Sequence, residues 1–155
     1  MSLIVRTVTR WVLSFIFVYG VYTVVYGHLT PGGGFPGGVI LASGFVLLVL
    51  AWGSRQAFAV FGYGSARRLD SVGALVFLGL AVLGLVVPGA LFFANVIQKS
   101  APGEPLALWS GGIVPFCNLA MGLKVAASLF LVAVVLSALR VKAGGSESDF
   151  ESLEE

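Results

Sequence analysis

Acids, cysteine and histidine are all scarce in this chain, and each scarcity removes a class of function. Cys117 is the only cysteine in 155 residues, which excludes an internal disulfide, a CxxC metal site and the dithiol centre of a tetraspan thiol oxidoreductase. His28 is the only histidine, and with no acid inside an apolar run there is no credible catalytic set or metal cluster. Charged residues make up 10% of the chain and the formal net charge is +2, with basic residues spread along it, so nucleic acid is not an expected partner. Of the seven acids, Asp70 stands at the edge of an apolar run and Glu104 lies in a connecting segment. Glu147, Asp149, Glu151, Glu154 and Glu155 fall in the C-terminal tail. No internal repeat stands out.

What the chain has in abundance is apolar surface. It is 58% hydrophobic with a mean hydropathy of +1.02, a profile of polytopic membrane proteins. Four apolar runs predict four transmembrane helices, at roughly Val8–Tyr26, Gly38–Trp52, Ser71–Ala94 and Ile113–Leu139. Arg6 before the first run and Arg10 at its start resemble the basic flank of a signal peptide, but no small-residue cleavage site follows, so it is read as an uncleaved helix. The second run is short for a span unless it borrows residues from its glycine-rich entrance. Pro88-Gly89 is expected to kink or end the third. Arg6, Arg10, Arg55, Arg67, Arg68, Arg140 and Lys142 all fall on one side if the four runs cross, against Lys99 on the other. The positive-inside rule then places both termini in the cytoplasm. The stretch SRQAFAVFGY before the third run reads as a short interfacial helix. The organisation is therefore an all-α membrane domain over residues 1–142 and an acidic cytoplasmic tail over 143–155, expected to be mobile.

Lys124 is the one ionisable side chain within the fourth run. The run centres near residue 126, so at 1.5 Å per residue the lysine lies within about 3 Å of the bilayer midplane. A charge there costs at least about 2.5–3.5 kcal/mol. With no acid expected inside the spans, its counter-charge is expected from another subunit, or the amine must be partly neutral; a structural ion pair with a neighbouring helix is the other reading. Along the same helix Asn118, Gly122 and Ala126 share one face, while Lys124 points to the other beside Cys117, Ala120, Ala127 and Ser128. Small residues on both sides imply helices on both sides, which either a tight four-helix bundle or, the reading preferred here, a subunit embedded in a larger assembly would supply.

Between the first two runs the chain reads GHLTPGGGFPGG. Five glycines and two prolines within residues 31–38 are expected to exclude helix and to let backbone pack closely. Gly32, Gly34 and Gly37 satisfy GxGxxG, but without a strand–helix context this carries no nucleotide reading. The segment Gly32–Gly38 is expected to dip to membrane level, covered by protein or water, and to continue as the second helix. His28 and Thr30 sit at its mouth, and a histidine there suits proton exchange or simply a polar cap. A second constellation, SGGIVPFCNLAMGLK from Ser110 to Lys124, breaks the chain at Gly111 and Gly112, starts a helix near Pro115 and carries Asn118.

These two segments resemble the signature stretches of the MnhB/MrpB-like subunits of the Mrp-type multisubunit cation/proton antiporters, with related subunits in archaeal membrane-bound hydrogenases and sulfur reductases. The resemblance covers the membrane domain in length, span number and motif position. It implies an accessory subunit, without cofactor or enzymatic activity, of an assembly that exchanges sodium ions for protons across the prokaryotic cytoplasmic membrane. On that resemblance His28, Thr30, Pro31, Gly32, Gly33, Gly34, Phe35, Gly37 and Gly38 are motif positions, and Lys124 is a titratable group within the membrane. Gly111, Gly112 and Pro115 join the structural motif, and His28, Thr30, Asn118 and Lys124 are the ion-pathway candidates. The implied partners are other membrane subunits, sodium ions, protons and the lipid bilayer. Two other readings stand beside it: a purely structural assembly subunit of a hydrogenase-type complex, and an autonomous small transporter. The second is disfavoured because such carriers need an acid within a helix.

Overall fold

The computed structural model describes residues 3–53, 62–86, 92–95, 97 and 110–142. Four helices account for most of them: α1 (Leu3–Val25), α2 (Gly34–Trp52), α3 (Tyr63–Val86) and α4 (Val114–Lys142). Each is long and apolar enough to cross a membrane. Residues 54–61 of the interfacial stretch, Pro88-Gly89 and the acidic tail lie outside the described residues, while Tyr63 at the end of that stretch is the first residue of α3.

The first three helices begin earlier than the apolar runs that announce them, because hydropathy marks where a helix becomes apolar and not where its hydrogen bonding starts. Helix α1 takes in Arg6 and Arg10, and α3 takes in Arg67, Arg68 and Asp70. Helix α2 starts at Gly34 and not at Gly38, so Gly34, Gly37 and Gly38 are helical despite the glycine density. Pro36 falls in the first turn, where its missing N–H has no intrahelical partner to lose. The four extra residues bring α2 to 19, about 28 Å of rise. The short second span is thus completed from its glycine-rich entrance, as its length required.

Helix α4 is the centre of the arrangement. Its chief neighbours are α2 on one side and α3 on the other, and α1 packs mainly on α2. The pairings alternate in direction. Gly20 of α1 abuts Ile40 and Leu41 of α2, while Gly44 abuts Ile16 and Phe17, which makes α1 and α2 antiparallel. Gly34 meets Asn118 and Gly38 meets Gly122, so α2 and α4 run parallel. Ala66 packs with Phe130 and Val134, whereas Gly73 meets Ala120, so α3 is antiparallel to α4. The start of α1 and the end of α4 therefore lie at the same end of the layer.

Small residues set these distances. A Cβ on Gly38 would stand 2.7 Å from the Gly122 carbonyl oxygen, and one on Gly73 would stand 2.9 Å from the Ala120 carbonyl oxygen. At Gly34 a Cβ would run into the Asn118 carbonyl. A compact cluster of Ala66, Phe130 and Val134, flanked by Phe45 and Val49, joins α2, α3 and α4 at the other end. Elsewhere large apolar side chains point outward, Leu3, Phe15, Val18, Leu50 and Leu75 among them. That is the surface of a chain solvated by lipid or by neighbouring helices.

Close approach makes a sharp prediction. Gly34→Ala forces α2 away from α4 and should destabilise the solubilised protein by about 1–3 kcal/mol, the usual cost of overpacking. Gly79→Ala, on α3 with nothing within 4 Å of the added methyl, should be neutral or slightly stabilising. Thermal melting of the two variants in the same detergent compares them directly.

Candidate functional site: an ion pair on the α3–α4 seam

Lys124 lies ten residues into α4, about 15 Å along its axis and one residue from the middle of the apolar stretch Val114–Leu136. Its ammonium donates to Asp70 Oδ1 of α3 at 2.9 Å. The Ser128 hydroxyl, one turn further along α4, donates to the same oxygen. The counter-charge therefore comes from within the chain, which overturns the expectation of a supply from another subunit or of a partly neutral amine. It also overturns the placement of every acid outside the spans. Asp70 is deceptive because it immediately precedes the apolar run, while the helix that carries it begins at Tyr63. A signal was nonetheless present: Lys124 and Ser128 one turn apart on α4, with Asp70 and Gly73 one turn apart on α3. Gly73 is what lets the carboxylate reach, since a Cβ there would stand 3.0 Å from Lys124 Cβ.

The remaining candidates assemble at the end of the layer where α1 meets α2 and α4 begins. Gly33 and Gly112 hold φ of 110° and 59°, a region that favours glycine. Gly27 and Gly33 touch backbone to backbone, closing the turn between α1 and α2. His28 lies against Gly111, where a Cβ would be 3.0 Å from its ring Cδ2. The Thr30 hydroxyl donates to the Tyr26 carbonyl at 3.0 Å, a local bond that fixes the turn. Pro31 and Phe35 point outward, and Pro115 sits in the first turn of α4. Asn118 faces Gly33 and Gly34, and its Nδ2 is buried with no hydrogen-bond acceptor among the described residues.

One residue of this region carried no sequence signal. Asn95 donates from Nδ2 to the Gly111 carbonyl at 3.2 Å and accepts from the Ile113 N–H at 3.1 Å. It thereby bridges the start of α4, and a side chain on Gly112 would collide with its amide.

The sequence candidates thus fall into two groups. His28, Asn118 and the two glycine segments share one end, whereas Lys124 pairs with Asp70 and Ser128 deeper in the layer. Asn118 and Lys124 occupy different faces of α4, the first toward α2 and the second toward α3. The space between α1, α2 and α4, about 280 Å³ and lined by Phe17, Val24, Leu41, Phe45 and Leu123, is almost wholly apolar and offers an ion nothing. The seam is where, among the described residues, a side-chain ion pair joins two of the helices.

Comparison with known proteins agrees with this architecture. Residues 4–131 match the family described as a domain related to the MnhB subunit of Na+/H+ antiporters. An uncharacterized protein of Methanocaldococcus jannaschii is 38% identical over 124 residues, 79% of this chain and 47% of that protein. A Staphylococcus aureus protein assigned as antiporter subunit mnhB2 is 38% identical over 75 residues, 48% of this chain and 52% of its own length. The chain also superposes on one from the membrane-bound sulfane sulfur reductase, an archaeal respiratory membrane complex. There the TM-score is 0.68 at 29% identity, covering 87% of this chain and 58% of the other. The chain spans about half the length of the relatives it matches. A family match over most of the chain, on a helical layer of this shape, makes it a multi-pass membrane protein that belongs to the family related to the MnhB subunit of Na+/H+ antiporters.

Proposed function

We propose that this chain is an accessory membrane subunit of a multisubunit sodium/proton antiporter, or of the antiporter module of a respiratory complex, and that the Lys124–Asp70 pair lies on its ion pathway. The observation that carries the reading is the pair itself, a lysine near the middle of α4 bonded at 2.9 Å to a carboxylate in the second turn of α3, within two helices that are each long and apolar enough to cross a membrane. Ionisable groups at that depth are expensive and mark ion paths by default. A lysine there can hold or release a proton, and Asp70 can receive it or bind a cation. The chain works without cofactor or catalysis, beside other membrane subunits, in the cytoplasmic membrane of a prokaryote. Arg6, Arg10, Arg67 and Arg68 lie toward the end where α1 starts and α4 finishes, which the positive-inside rule puts in the cytoplasm. The glycine segments, His28 and Asn95 then face outward.

A purely structural role has its own support, since Ser128, Lys124 and Asp70 tie α3 to α4. Arginine separates the two. It keeps the charge and the bond to Asp70 but does not release a proton. Lys124→Arg should leave the complex recoverable at the normal level while sodium-dependent proton exchange in inverted vesicles falls at least tenfold. Unimpaired exchange would return the pair to a structural role.

Removal of the charge tests the pairing. Lys124→Leu strands Asp70 in the seam, and losing one partner of a buried pair costs about 3–5 kcal/mol, with the part-exposure here placing it near the lower end. The double replacement Lys124→Leu with Asp70→Leu should therefore be more stable than the single one. Melting of the three proteins reads this directly, and a double variant less stable than Lys124→Leu would contradict the pairing.

The want of an acid within a helix no longer counts against an autonomous transporter, since Asp70 supplies one. A different reason takes its place: this carboxylate already holds an internal ammonium. The purified chain in liposomes with an imposed pH gradient should show no sodium-dependent dissipation. Dissipation by this chain alone would refute the accessory-subunit reading.

A further inference from the structure

Lys124 and Asp70 satisfy one another only in part. An ammonium has three hydrogens to donate and a carboxylate has two oxygens to accept. Here one hydrogen of Lys124 goes to Asp70 Oδ1, which also accepts from Ser128. Among the described residues the other hydrogens of Lys124 and the whole of Asp70 Oδ2 have no partner. The side chains remain 42% and 32% exposed on the chain taken alone. That exposure falls near the middle of α4 and in the second turn of α3, within two helices long and apolar enough to cross a membrane, where hydrocarbon offers no hydrogen bond and every open polar valence is costly.

The exposed edge is continuous with one strip of α4. Val114, Met121, Ser128 and Val135 recur every seven residues, and Lys124 and Val132 flank them. Val114, Val132 and Val135 are exposed. The strip lies between the face of α4 that meets α2 and the face that meets α3, on the side away from the apolar space bounded by α1. It is an apolar helix face with one polar point near its centre, where Lys124 and Asp70 break its surface.

We infer that this strip is the docking face for a transmembrane helix of another subunit, which presents at the level of Lys124 a neutral side chain able both to accept from the ammonium and to donate to Asp70 Oδ2. The inference rests on the proposed membership of a multisubunit complex. Charge selects the chemistry. The pair is already neutral overall, so a fixed carboxylate or a basic side chain on the partner would leave one uncompensated charge in a dry interface. An amide, a hydroxyl or a protonated carboxylic acid meets both open valences and adds no charge. Lipid tails meet neither, and a second copy of this strip would bring another ion pair without a neutral bridge.

The test places the photo-cross-linker p-benzoylphenylalanine at Met121, and separately at Val132, in the full-length chain within its native membrane complex. After irradiation the cross-linked peptides are sequenced. Both positions should label the same transmembrane segment of another subunit. Between the two attachment points that segment should carry Asn, Gln, Ser or Thr, or an Asp or Glu that shows the infrared C=O stretch of a protonated carboxyl at neutral pH, an ionised one there overturning the inference. Adducts to phospholipid alone, to a second copy of this chain, to a segment with no polar side chain between those points, or to one with Lys or Arg there would overturn the inference. The contact is read without any transport measurement, so it stands or falls separately from the ion-path reading.

Discussion

Backbone-to-backbone approach around α4 is the constraint on which the rest depends. Helices in a bilayer gain nothing by hiding apolar side chains from water, and they associate through close packing and a few polar contacts. In this chain the close packing is concentrated at Gly34, Gly38 and Gly122 between α2 and α4, and at Gly73 between α3 and α4. The first set seats α2 against the beginning of α4. The second brings α3 near enough for an aspartate to touch a lysine. Wider spacing at Gly73 would lengthen a 2.9 Å ion pair into two separated charges in hydrocarbon.

The ion pair follows from that spacing and in turn limits what the chain can do. It joins two helices that otherwise meet through small residues and the Ala66–Phe130–Val134 cluster. Among the described residues it leaves open valences facing outward, which is the ground for expecting a neighbouring helix there. The apolar surface over α1 and the outer faces of α3 leads to the same conclusion in a weaker way, since lipid can cover it. Lipid cannot satisfy an ammonium.

The opposite polar region serves a different purpose. Asn95 and the glycines at 111 and 112 set where α4 begins, and the turn from Gly27 to Gly33 sets where α2 begins. These two starts meet at Asn118. The register of α4 against α2 is thus fixed at that end, and Lys124 is carried to its depth by the helix that starts there.

The sequence by itself determined the four spans, their alternation, the antiporter-subunit family and the singular position of Lys124, because each is written in long apolar runs or in short glycine motifs. It also required helices on two sides of α4, since small residues lie on both, and it located the glycine segments where backbones meet. The tertiary structure decided the partner of Lys124. Asp70 lies 54 residues away in sequence at the polar edge of an apolar run, and hydropathy cannot tell a helix's polar first turns from the loop before it. It likewise decided the role of Asn95, whose hydrogen bonds to Gly111 and Ile113 depend on how the chain between α3 and α4 returns. Periodicity records which face a residue occupies along its own helix. Which residue stands opposite depends on axial offset and interhelical distance, and at this seam Gly73 of α3, facing Ala120 and Lys124, sets both.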